Sequence, residues 1–232
     1  MSQEVNQSPP RARRRQANLG RILDAALALV GRDGLDGLHM ARLAAAVDYT
    51  PGALYRYVGS KDALVAMLVT RTVEALGRTS AAVVAELPAR ATPLARVFAL
   101  VAGYRRFVQA EPHGAGLLAV ALAEPRILVA DPALAAATGR AVLAVVAPLV
   151  EALTAAMAGG HLAAGPAVER ALCLATMLHG QAQLTKLARA APAPFDVDGL
   201  ARAGTRALII GWGASPRAAD SAARTFAERI AS

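Results

Sequence analysis

Cysteine occurs once in the 232 residues, at Cys173, so no intrachain disulfide can form and no cysteine-based zinc site can be assembled. A cytoplasmic location is the expectation that follows. Aromatic residues are also scarce, at 4% of a chain that is 55% hydrophobic; Ala, Leu and Val carry the apolar content, and strands lose one of their favoured residue classes. No alternating pattern of useful length and no internal repeat of fixed period is present, which leaves an all-α chain. Long apolar runs are lacking too. The most apolar stretch, Ala141 to Val150, is bounded by Arg140 and Glu151 and is shorter than the roughly 18 to 20 residues a membrane span requires, so a buried helix and no membrane partner are expected. Arg21 and Asp24 interrupt the apolar residues that follow the N-terminal arginines, and no secretory signal is expected there.

The charge is unbalanced in the other direction: Lys and Arg number 25 against 17 acidic residues, for a formal net charge of +8. Such a balance favours polyanions, nucleic acid among them. Part of it is concentrated in Arg11, Arg13, Arg14 and Arg15, after Pro9-Pro10, so residues 1–16 are expected to form a disordered basic arm. Leu19, Ile22, Leu23, Ala26, Leu27 and Val30 then recur at helical spacing. The length suits a small domain joined to a larger one, divided here as 17–62 and 63–232. Beyond Pro88 the punctuation is regular. Thr92-Pro93, Glu111-Pro112, Asp131-Pro132, Gly165-Pro166 and Ser215-Pro216 each precede a helix-length apolar-periodic segment, and Asp196 or Asp198 starts another after the Pro192 to Pro194 linker.

The stretch Leu38 to Leu64, LHMARLAAAVDYTPGALYRYVGSKDAL, carries the functional pattern. It reads as a short helix from His39 to Val47, a break at Asp48-Tyr49, and a second short helix with Thr50 as N-cap and Pro51 at the first helical position. Leu54 and Val58 are four apart and would face a core, which turns Gly52 and Arg56 outward. Gly52 lets the backbone approach DNA closely, and Arg56 has the reach and fork for a guanine edge or a phosphate. Thr50, Tyr55, Tyr57 and Lys61 add the hydroxyl and ammonium donors that fix register on phosphates. Lys61 also opens a longer helix capped by Ser60, running toward Leu87.

These residues resemble the N-terminal domain of the TetR family of bacterial regulators. The family's pattern stands here as Leu43-Ala44, then Thr50-Pro51-Gly52-Ala53-Leu54-Tyr55-Arg56-Tyr57-Val58, then Ser60-Lys61-Asp62-Ala63-Leu64. With its upstream helix the match covers about the first third of the chain. The resemblance implies a three-helix helix-turn-helix domain, with Arg42, Thr50, Pro51, Gly52, Tyr55, Arg56, Tyr57 and Lys61 at a double-stranded operator. Arg14 and Arg15, just before the motif, would enter the adjacent minor groove. Asp48 stands where the family has a turn glycine, His39 where it has a capping Ser or Thr, Val58 where it has Phe, and Ala53 lacks a hydroxyl common there.

For the remainder, the resemblance implies a larger helical domain that binds ligand and dimerises. A homodimer would form through the helices near Pro166 to Ala190 and Asp196 to Trp212. A small apolar effector would sit among the middle helices, for which Tyr104, Phe107, His113, Leu117, Leu118, Met157, Thr176, Met177 and His179 offer an apolar lining with a few polar points. Repression relieved by that effector is the implied mode. Catalysis is disfavoured: Cys173 and His179 are about 240 degrees apart around a helix and do not face each other, and His113 and His161 lack helix-spaced acidic partners. No metal and no cofactor is expected.

Overall fold

In the computed structural model, residues 10–123, 129–191 and 196–230 are described, and they form helices with no strand among them. The first is α1, Pro10–Asp33. It begins earlier than expected: Arg11 to Gln16, read as a disordered arm, are the first turns of α1. Pro10 suits a first helical position because its ring presets φ and its missing N–H would be unbonded there anyway. The Arg, Ala and Gln that follow are good helix formers. Residues 1–9 of the expected arm lie outside the described residues.

Next come α2 (Met40–Ala46), α3 (Pro51–Val58) and α4 (Lys61–Ala85). A single core joins α1 to α4: Ile22, Leu38, Leu43, Leu54, Leu64 and Leu68 are all fully buried. Because α4 enters this core with its first turns and continues well beyond it, one rigid rod links the small domain to the rest. Arg71 of α4 fixes the crossing by donating to the carbonyl of Gly20 at 3.2 Å and pairing with Asp24, both on α1.

The larger domain comprises α5 (Pro93–Ala110), α6 (Pro112–Ala123), α7 (Pro132–Ala158), α8 (Ala167–Ala182), α9 (Thr185–Ala190), α10 (Val197–Gly211) and α11 (Pro216–Ile230). Prolines mark the starts as the sequence suggests, with Thr92 accepting from the Ala95 amide at 3.2 Å and Asp131 from the Ala133 amide at 2.9 Å. Of the two aspartates able to start α10, Asp196 does so, accepting from the Gly199 amide at 2.9 Å. Leu94, Val97, Leu153, Leu174 and Ile209 form the second core. Gly103 brings α5 against α4 so closely that a Cβ there would lie 2.6 Å from the Cα of Ser80.

Two further segments depart from expectation. The segment Pro166 to Ala190 is not one helix: α8 stops at Ala182, and α9 follows after a turn in which the Thr185 hydroxyl donates to the Ala182 carbonyl at 2.7 Å. The apolar run Ala141 to Val150 belongs to the 27-residue α7, which continues through Pro148. By length and composition α7 could cross a membrane, with a mean hydropathy of 2.0 over its most apolar window. It is also less buried than expected. Leu149, Ala152, Leu153 and Ala156 are buried, but Val142 and Leu143 are exposed.

Candidate nucleic-acid interface

The geometry of α3 follows from its two anchors. Leu54 and Val58 are buried in the core shared with α1, α2 and α4, which leaves Pro51, Gly52, Tyr55 and Arg56 exposed on the opposite side. Eight residues are too few to be helical alone, so the ends matter. The Thr50 hydroxyl accepts from the Ala53 amide at 3.2 Å, and Pro51 takes the first helical position. Gly59, at φ 75°, stops the helix, and its amide donates to the Tyr55 carbonyl at 2.8 Å. Ser60 then caps α4, accepting from the Ala63 amide at 3.0 Å, with Lys61 exposed at the first position.

The turn between α2 and α3 requires a left-handed residue, and Asp48 supplies it at φ 59°. It is the only non-glycine residue at positive φ among those described, in keeping with the tolerance of Asp for this region. His39 precedes α2 without a side-chain cap; α2 is held by the burial of Leu43 and Ala44 instead.

The aromatic and basic residues divide into free and engaged groups. Tyr55 is exposed, and the Arg56 guanidinium has no hydrogen-bond partner among the described residues. Tyr57 is half-buried, its ring stacked on Tyr49 with centroids 5.6 Å apart and its oxygen accepting from Asn18 Nδ2 at 3.1 Å. Donation from Asn18, and then from Tyr49, stabilises the phenolate form and lowers the Tyr57 pKa, while that of Tyr49 is raised. Accepting from Asn18 leaves Tyr57 its own O–H as a donor. Arg15 lies over the Tyr57 ring, 5.5 Å from the centroid, and donates to the Arg56 carbonyl at 3.3 Å. The start of α1 is therefore tied to the end of α3, a contact not foreseen from the sequence. Arg14 is exposed on the same turn of α1. Arg42 is exposed yet paired, donating to Asp33 at 2.8 Å and to the Gly37 carbonyl at 3.3 Å. Its guanidinium is the main reason the Asp33 carboxyl is held below the usual carboxylate range.

Two models of a single family match this chain. Residues 22–68 match the bacterial regulatory proteins, tetR family, and residues 97–208 match the tetracyclin repressor-like C-terminal domain, together more than half of the sequence. The chain belongs to the TetR family. As a TetR-family protein it is a DNA-binding transcriptional regulator. Solved structures agree in fold. FadR of Bacillus halodurans, a fatty acid degradation regulator, is 16% identical with a TM-score of 0.64, over 88% of this chain and 97% of its own. The TetR-family regulator PfmR of Thermus thermophilus is also 16% identical, with a TM-score of 0.62 over 82% of this chain and 97% of its own. AibR, solved with isovaleryl coenzyme A and operator DNA, is 20% identical, with a TM-score of 0.59 over 72% of this chain and 86% of its own. No curated protein matches.

Of the nine residues expected to line an effector chamber, three share one cluster and the others pack in separate places. Tyr104 and His179 meet, hydroxyl to Nδ1, at 3.1 Å, with Met177 in the same small cluster. Phe107 is fully buried in α5, and Leu117 is fully buried in the core shared with α1 and α4, with Leu118 half-buried against it. His113 packs on Gly31 of α1, where an added Cβ would lie 2.4 Å from its Nδ1. Met157 touches Arg170 through its sulfur at 3.2 Å, and Thr176 is exposed, bonded to the Leu172 carbonyl at 2.8 Å. None of the nine lines the cavity of about 400 Å³ between α5, α10 and α11. The reason is helical register: α6, expected to wall a chamber, turns Leu117 and His113 toward the DNA-binding domain. The groups around the cavity, Arg105 and Arg202 among them, were missed because arginines spaced singly along helices look like solvated surface.

Proposed function

We propose that this chain is a homodimeric repressor whose two α3 helices enter successive major grooves of a palindromic operator, and that a small molecule bound in the larger domain releases it. The observation that carries the DNA-reading half is the outward face of α3. Gly52 leaves open space above the backbone, and Arg56, one turn later, presents an unengaged guanidinium suited to a guanine edge. Thr50, Tyr55, Tyr57 and Lys61 flank that face as phosphate donors, and Arg14 and Arg15 follow the backbone or the adjacent minor groove. Arg42 joins them by exchanging its Asp33 partner for a phosphate.

Dimerisation is supported by apolar side chains that α8 and α10 leave uncovered. Val168 is 55% exposed, Leu172 42% and Leu200 36%; with exposed Ala203 and Ala207 they form a surface on which a second copy fits as a four-helix contact. Coupling between the domains is supported by two contacts. His113 and Leu117 of α6 pack on α1 and its core. Asp62, in the first turn of α4, accepts from the amide of Ala130 at 2.9 Å, just before α7. A ligand that shifts α6 or α7 therefore changes the spacing of the two reading heads, which is the differential interaction that release requires.

Selection of bound sequences from random duplex DNA, with the mass of the complex measured by sedimentation, tests the proposal. Enrichment of a twofold-symmetric sequence bound by two chains is expected. A monomer with no sequence preference at moderate ionic strength refutes it.

A further inference from the structure

The cavity between α5, α10 and α11 is lined by chemistry that an apolar effector does not call for. Its floor is apolar: Phe98, Val101 and Ala201 are buried there. Its rim carries Arg105, Arg106, Arg202 and Asp198. Two of the arginines are already matched, Arg106 with Glu86 at 2.7 Å and Arg105 through its Nε with Asp198 at 2.7 Å. Arg202 is exposed and has no ion-pair partner among the described residues. Arg105 is the unusual member. Its side chain is only 12% exposed, and its Nη1 is buried with no acceptor, an arrangement that is costly for a charged donor unless the guanidinium turns toward the cavity to meet one.

We propose that this cavity is a binding site for a small organic carboxylate, whose apolar body lies on Phe98, Val101 and Ala201 and whose carboxylate is received by Arg105 and Arg202. One uncompensated guanidinium matches one negative charge. A planar carboxylate also suits arginine donors, which recognise it in a fork geometry. A volume of about 400 Å³ is at the lower end of small-molecule sites, which limits the ligand to a compact acid. This site is separate from the chamber expected among the middle helices, and its occupancy is read by binding rather than by release from DNA.

The test is calorimetric titration of the full chain with hexanoate and benzoate, beside hexanol and benzyl alcohol, which keep the apolar body and lack the charge. At least one acid is expected to bind, with its alcohol about tenfold weaker or worse. Arg202→Gln should weaken the acid by about tenfold, equivalent to about 1.4 kcal/mol. Its melting temperature should stay unchanged, because Arg202 is exposed and unpaired. Ala223→Leu, which fills the cavity without touching a charge, should weaken acid and alcohol alike. The proposal is overturned by equal affinity for acid and alcohol, by acid binding that survives both substitutions, or by no heat from either acid at millimolar concentration. A chain that binds no operator but passes this test leaves the carboxylate site standing while the repressor reading falls.

Discussion

Gly52→Ala separates the fold from the function in opposite directions. Gly52 is the second residue of α3, its φ is not positive, and a Cβ built on it meets nothing within 4 Å. The added methyl therefore costs no contact, and it removes backbone freedom from the unfolded chain. Glycine is about 1 kcal/mol poorer than alanine in a helix interior; in a first turn a gain of roughly 0.5 to 1 kcal/mol is expected, which raises the melting temperature by about 1 to 4 °C in a chain of this size. The same Cβ projects from the surface proposed to meet DNA. There it separates the α3 backbone from the duplex, and Gly52→Leu does so further. Operator affinity, followed by fluorescence anisotropy on an enriched duplex, should fall for alanine and by about tenfold or more for leucine, a loss of at least about 1.4 kcal/mol. A more stable protein with undiminished operator affinity in both variants would show that this face of α3 does not touch DNA. A fall in melting temperature for Gly52→Ala would show that the position is not open.

Gly103→Ala should act on stability, since its Cβ would lie 2.6 Å from the Ser80 backbone; separating α4 from α5 costs on the order of 1 to 3 kcal/mol, more than the helix-propensity gain, and urea unfolding should show a lower midpoint. Arg14→Ala should weaken binding to all duplexes about equally and reduce the slope of log affinity against log salt by about 1. Burial lowers the His179 pKa below its usual 6.5, so the folded state resists protonation, and the neutral ring hydrogen-bonds the Tyr104 hydroxyl through Nδ1. Stability from this site is present above pH 6.5 and is lost as pH falls toward the depressed value. Unfolding midpoints at about pH 7.5 and about pH 5.5 should differ less in His179→Gln than in the parent. Burial raises the Tyr104 pKa to about 12, so its contribution is held up to the ordinary phenol pKa near 10 and lost above it.

The helix-turn-helix was legible because local rules and tertiary packing agree in it. Thr50, Pro51, Gly59 and Ser60 place both ends of α3, and the four-residue spacing of Leu54 and Val58 settles which side faces out. Asp48 accepts the left-handed turn that its substitution for glycine left to it. The start of α1 is hard to read from composition because a run of arginines looks like a solvated tail; Pro10 and the helix formers after it favour the helix, and Arg15 holds it against Tyr57 and Arg56, which lie far along the sequence. Asn18 carries no local signal either, because its partner Tyr57 is distant in the sequence. In the larger domain, the prolines announced where helices begin but not how they turn. Nearly every helix there is rich in Ala, Leu and Val, so periodicity could not say which face meets which neighbour. The sequence therefore does not show that His113 and Leu117 pack on the DNA-binding domain, or that Val142 and Leu143 of the apolar α7 are exposed.

Arg56→Ala, measured against an enriched duplex and each of its single-base variants, bears most directly on α3 as the reading element. The side chain is exposed and unpaired, so the melting temperature should not change, while operator affinity should fall by about 1 to 3 kcal/mol and discrimination should relax at one base pair in each half-site. Unchanged affinity with unchanged discrimination at every position would contradict the assignment of α3 as the element that reads sequence.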